Sequence, residues 1–109
     1  MSDDGYERVV DLADLPESTL VGVALNDGEQ VVLVRFGSAV YALQDCCSHA
    51  DFPLSEGDVV DDYVIECALH GAQFDVRDGQ ALELPATEPL VTYAVRIDGE
   101  AVMVCRQEA

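Results

Sequence analysis

The chain contains no lysine and no tryptophan, and its only basic residues are five arginines among 109 residues. Against these stand 22 aspartates and glutamates, for a formal net charge of -17. Such a surface repels polyanions over roughly a Debye length, which excludes nucleic acid and anionic lipid as partners and favours a positively charged protein. Acidity also serves solubility, so charge alone names no partner. Long apolar runs are missing too, and Met1 is followed by Ser-Asp-Asp-Gly rather than by a basic segment. The expectation is a cytoplasmic protein with neither leader nor membrane span.

Histidine is nearly as scarce, and the two that exist both stand close to cysteine. Cys47-Ser48-His49 is a C-x-H motif, Cys67-Ala68-Leu69-His70 is a C-x2-H motif, and 17 residues separate His49 from Cys67. In a reducing compartment such groups are more often metal ligands than disulfide partners. A bond between the neighbours Cys46 and Cys47 would also be strained. Two thiolates and two imidazoles suit either a structural zinc ion or a 2Fe-2S cluster in which one iron takes both thiolates and the other both imidazoles. Spacing leaves one further ambiguity, because Cys46-x2-His49 repeats the pattern of the second half-motif.

At 109 residues and 50% apolar content the sequence fits one compact domain over 1–109, with no room for a separate catalytic unit. Once both histidines are committed to a cluster shared with the two cysteines, no 2-His-1-carboxylate site can be assembled. The chain is therefore expected to carry electrons and not to convert a substrate.

Strand and turn signals run almost throughout. Val91 to Ile97 alternates apolar and polar positions, and Asp98-Gly99-Glu100 turns it into Ala101 to Cys105. A second hairpin joins Thr19–Leu25 to Gln30–Phe36 through Asn26-Asp27-Gly28-Glu29, and Gly37-Ser38 leads into Ala39–Gln44. Further strands are expected at Tyr63–Glu66, at Gln73–Val76 and around Gln80–Leu84, with one helical turn near Asp14-Leu15-Pro16-Glu17. The fold class is all-β, and each half-motif follows directly on a strand. Cys105 reads as a small core residue.

These residues resemble the Rieske-type ferredoxins that serve bacterial ring-hydroxylating dioxygenases. The resemblance is carried by Asp45-Cys46-Cys47-Ser48-His49-Ala50, by Pro53-Leu54-Ser55-Glu56-Gly57, by Cys67 through Asp75 and by Glu88-Pro89-Leu90-Val91-Thr92-Tyr93. It implies stacked antiparallel sheets with two cluster-binding loops at one tip. It implies a 2Fe-2S cluster held by Cys47 and Cys67 on one iron and by His49 and His70 on the other, which selects Cys47 over Cys46 and iron-sulfur over zinc. It also implies that Gly71 lets the backbone pass close to the cluster.

Implied partners are a flavin-dependent ferredoxin reductase and a terminal oxygenase. A Rieske-like subunit of nitrite reductase or another multi-subunit oxidoreductase is the alternative, disfavoured because members of that group often lack the ligands. High-potential Rieske proteins carry a disulfide at the positions of Phe52 and Leu69, and hydroxyls at those of Ala72 and Phe74. Their absence implies a low potential within the Rieske range. Asp51, Glu56, Asp58, Asp61 and Asp62 concentrate charge between the half-motifs, as a solvated loop or as part of a docking face.

The purified protein is expected to be brown and to hold two iron and two sulfide per chain. Cys47→Ser or Cys67→Ser should abolish the cluster and lower stability, since ligation is coupled to folding, whereas Cys46→Ser should leave it intact. Metal analysis that finds zinc and no sulfide would contradict this.

Overall fold

Short runs of β-branched residues broken by glycine and aspartate turns give nine strands and no α-helix among the described residues of the computed structural model, which are 6–25, 28–46, 53–68, 71–82 and 90–108. The strands are β1 (Tyr6–Asp11), β2 (Leu20–Ala24), β3 (Gln30–Phe36), β4 (Ala39–Gln44), β5 (Asp58–Asp61), β6 (Val64–Glu66), β7 (Gln73–Asp75), β8 (Thr92–Asp98) and β9 (Ala101–Glu108). All pair antiparallel, in a six-stranded sheet of order β1-β9-β8-β4-β3-β2 and a three-stranded sheet of order β5-β6-β7. No helix among these residues is long and apolar enough to cross a membrane.

The sequence of β3 explains the layering. Val31, Val32, Leu33 and Val34 are all fully buried, a continuous apolar run of the kind found where both faces of a strand are covered. Alternation sends Val32 and Val34 into a core shared with Leu43, Leu54, Ile65 and Phe74, and sends Val31 and Leu33 into another shared with Leu15, Ala42, Val102 and Val104. The β3–β4 ribbon is thus a middle layer, with the small sheet on one face and β9 on the other. The large sheet turns this corner between β4 and β8, where only Ala42–Tyr93 and Leu43–Thr92 pair. The expected all-β stack of antiparallel sheets is the fold observed.

Two-residue loops close the β3–β4 and β8–β9 hairpins, with Phe36 opposite Ala39 and Asp98 opposite Ala101. Gly37 and Gly99 each take φ +64° there, a left-handed conformation that side chains resist. At the same end of the molecule Phe36, Tyr41 and Tyr63 cluster, with ring centroids 4.9 to 6.4 Å apart. Arg77 lies over the Tyr63 ring and holds the Asp75 carboxyl below its ordinary pKa through a hydrogen-bonded ion pair at 2.8 Å.

Several expectations need correction. The helical turn is a 3-10 turn at Leu12–Asp14, earlier than expected, because Leu15 is extended ahead of Pro16. The strand expected around Gln80–Leu84 reduces to a single bridge from Ala81 to Phe74, and 83–84 lie outside the described residues. The strands β1 and β5 had no sequence signal. Both are edge strands rich in charge, a composition that protects an edge and hides its period.

A second 3-10 turn, Leu54–Glu56, leads into β5, with Leu54 fully buried in the core beside the small sheet. Gly57 follows at so close an approach to β6 that a Cβ there would lie 2.0 Å from the Glu66 carbonyl oxygen. Gly57→Ala must therefore move backbone, and overpacking of this kind costs about 1–3 kcal/mol. The melting temperature should fall by several degrees, and an unchanged value would show that the strands tolerate separation.

Candidate metal centre

The C-terminal ends of β4 and β6 and the N-terminal ends of β7 and β8 meet at one end of the molecule, opposite the aromatic cluster. Of the four expected ligands, Cys67 lies among the described residues, whereas Cys47, His49 and His70 do not. Cys67 follows β6 directly and is 1% exposed, packed in the core with Ile65, Ala72 and Phe74. Its N–H donates to the Ala72 carbonyl at 2.8 Å, and its carbonyl accepts from the Gly71 N–H at 3.0 Å. The second half-motif is therefore pinned at both ends by its own backbone.

Gly71 takes φ +75°, and a Cβ there would meet only the Glu66 carboxylate at 3.8 Å among described atoms. Left-handed backbone is in itself sufficient reason for glycine at this position. Glu66 in turn accepts from the Gln73 side-chain amide at 3.1 Å across the β6–β7 pair.

The first half-motif is fastened differently. At its base, Asp45 Oδ1 accepts from the Ser55 N–H at 2.7 Å and Oδ2 accepts from the Ser55 hydroxyl at 2.8 Å. The preceding residue reaches another segment: Gln44 Nε2 donates to the Cys46 carbonyl at 2.9 Å, and Gln44 Oε1 accepts from the Val91 N–H at 2.7 Å. Leu82 and Leu90, which flank 83–89, are held by bonds to the Gln73 and Gly79 carbonyls, both at 2.7 Å. The described flanks of three segments thus lie at the same end of the sheets, two of these segments carrying the half-motifs.

Cys46 is only half-buried and lines an open groove of about 520 Å³ with Gln30, Gln44 and Tyr93, away from the core that contains Cys67. Cys105 is 5% exposed in β9, as its core reading required. Ala72 and Phe74 are fully buried beside Cys67 and bring no hydroxyl to it. Glu56, Asp58, Asp61 and Asp62 are all exposed, and Asp51 lies outside the described residues. A soft, water-excluded thiol and a donor set completed by one more thiol and two imidazoles fit an iron-sulfur cluster of mixed ligation. Gly22, Gln44 and Gly57 were not legible as parts of this end. A glycine inside a strand pattern, as at Gly22, is the one signal that marks a close approach in advance.

A family model described as the Rieske [2Fe-2S] domain matches residues 6–94. The ferredoxin subunit of 3-phenylpropionate/cinnamic acid dioxygenase from Escherichia coli K12 is 39% identical over 98 residues, covering 90% of this chain and 91% of that one. A chain from the complex of reduced oxygenase and oxidized ferredoxin in carbazole 1,9a-dioxygenase superposes with a TM-score of 0.89 at 30% identity, over 98% of both chains. A structure assigned to a nitrite reductase NADPH small subunit superposes with a TM-score of 0.78 at 29% identity, over 91% of this chain and 96% of that one.

Gln44→Leu should remove both side-chain bonds to Cys46 and Val91 at nearly constant volume. Net contributions of about 1 kcal/mol per bond give an expected loss of about 1–2 kcal/mol. Amide hydrogen exchange at Val91 should quicken by a matching factor, and unchanged exchange would show that the amide is not what holds this segment.

Proposed function

Because this chain belongs to the Rieske 2Fe-2S family, we propose that it is a one-electron carrier of a ring-hydroxylating oxygenase system, working between a flavin-dependent reductase and a terminal oxygenase. Its cofactor is one Rieske-type 2Fe-2S cluster, and the protein is an electron-transfer component without substrate chemistry of its own. In this reading a single domain over 1–109 works in the cytoplasm, with Cys47 and Cys67 as the thiolate ligands and His49 and His70 as the imidazole ligands.

The observation that carries the proposal is the buried thiol of Cys67 at the same strand ends to which Asp45 and Ser55 anchor the first half-motif. When bound, the cluster supplies a one-electron couple, which mixed ligation sets at roughly -150 to +300 mV, against about -400 mV for plant-type ferredoxins. The chain's own residues tune where in that range it falls. Ala72 and Phe74 offer no hydroxyl to a sulfur, and Glu66 leaves a carboxylate one residue from Cys67; both favour the lower part.

Recognition follows from charge. The exposed carboxylates of Glu56, Asp58, Asp61 and Asp62 supply long-range attraction to a basic partner face. Exposed Leu82 and Val91 flank the third segment and supply apolar contact. The nitrite reductase alternative shares the fold, so topology does not separate the two. The ferredoxin subunit's 39% identity and the presence of both complete half-motifs favour the carrier.

The direct test mixes the reduced protein with the oxidised terminal oxygenase of a 3-phenylpropionate dioxygenase and follows reoxidation by stopped flow. The rate should fall steeply between about 0.1 and 1 M salt, over which the Debye length shortens from about 10 to about 3 Å. No reoxidation by this or any other Rieske oxygenase would contradict the carrier reading, and a rate insensitive to salt would contradict electrostatic steering.

A further inference from the structure

The two half-motifs differ in how they are held. The second closes on its own backbone, through the bonds between Cys67, Gly71 and Ala72. The first spans from Asp45 to Ser55, and the described bonds that close this span are the two from Ser55 to the Asp45 carboxylate, at 2.7 and 2.8 Å. Both are short and charge-assisted, the stronger class of hydrogen bond.

The pair has a seat on a third element. A Cβ at Gly22, in β2, would lie 2.9 Å from Ser55 Oγ, 3.0 Å from Asp45 Oδ2 and 3.1 Å from Ser55 Cβ. The backbone of Gly22 is not left-handed, so its missing side chain matters for space and not for conformation. Nor can β2 retreat easily, since Val21 and Val23 on either side of Gly22 pack on the second core and β2 pairs with β3 over five residues.

We infer that Asp45, Ser55 and Gly22 form a positioning latch that sets the geometry of Cys47 and His49 against Cys67 and His70. The inference rests on the ligand reading above. The latch is made of residues outside the ligand set; it fixes the ends of the span that carries two of the ligands, and retention of the iron depends on it. Ser55 bonds through its backbone and its hydroxyl together, so the carboxylate holds position and orientation at once.

The test uses the cluster-loaded protein and three readouts: bleaching by an iron chelator, the EPR spectrum of the reduced state, and the midpoint potential. Ser55→Ala and Gly22→Ala should each speed bleaching about tenfold, equivalent to about 1.4 kcal/mol, and both should shift the EPR spectrum and the potential in the same direction. The double variant should fall well short of the product of the singles, because the new methyl's nearest neighbour, the Ser55 hydroxyl, is already gone while those at Asp45 Oδ2 and Ser55 Cβ remain. Asp45→Asn should fall between wild type and Asp45→Ala, since its amide can accept from the Ser55 N–H and donate to the hydroxyl but without the carboxylate's charge. Asp45→Ala, which loses both bonds, should bleach faster than Ser55→Ala, which keeps the backbone one.

Unchanged bleaching and spectra in both single variants would overturn the latch, as would a double variant whose effect is the product of the singles, or an Asn variant as damaged as Ala. A wild-type protein that binds no two-iron cluster overturns the ligand reading itself, before any variant is compared.

Discussion

Two short half-motifs can share one small metal centre only if the strand ends that carry them stay within a few ångströms of each other. Here that constraint is met by a relay of close contacts running from one half-motif to the other. Asp45, two residues before Cys47, grips Ser55. Two residues on, Gly57 lies against the Glu66 carbonyl, and Glu66 precedes Cys67. Leu54, fully buried in the core beside the small sheet, anchors the middle of this relay. The architecture follows from it: the small sheet must lie on the β3–β4 ribbon with its β6 end flush with the end of β4.

The electrostatic character of the molecule has an equally local origin. Each of the four arginines whose side chains are described is engaged within the chain. Arg35 donates to the carbonyls of Leu15 and Gly37, Arg77 pairs with Asp75, Arg96 lies over Tyr6, and Arg8 pairs with Asp11. Positive charge is thereby spent on tying loops and strands, while Glu56, Asp58, Asp61 and Asp62 remain exposed. An outward field dominated by carboxylates suits fast, salt-sensitive encounter with a basic protein, a property that governs association rate more than final affinity.

Much of this was legible in the sequence because period and turn chemistry are local signals. Gln30–Phe36 and Ala39–Gln44 form strands over the residues their patterns marked, and Gly99 turns the last hairpin where expected. Of the four edge strands, β1 and β5 escaped because they carry charge instead of apolar alternation, whereas β2 and β7 were expected. At the metal end, residue types announced the chemistry: two cysteines and two histidines at tight spacing have few uses. The supports did not announce themselves. Nothing local to Gln44 or Gly57 reveals that each meets a segment distant in sequence, and the in-strand glycine at Gly22 marks a close approach without naming its partner, because these roles exist only once the sheets are stacked.

The account stands on both histidines of the chain ligating one iron of a two-iron cluster. Pulsed EPR on the reduced protein, grown with nitrogen-15 histidine against a natural-abundance background, measures this directly. Two inequivalent, strongly coupled imidazole nitrogens that change with the isotope are the expected result. A reduced cluster with no coupling that responds to histidine labelling would contradict it, and with it the assignment of His49 and His70.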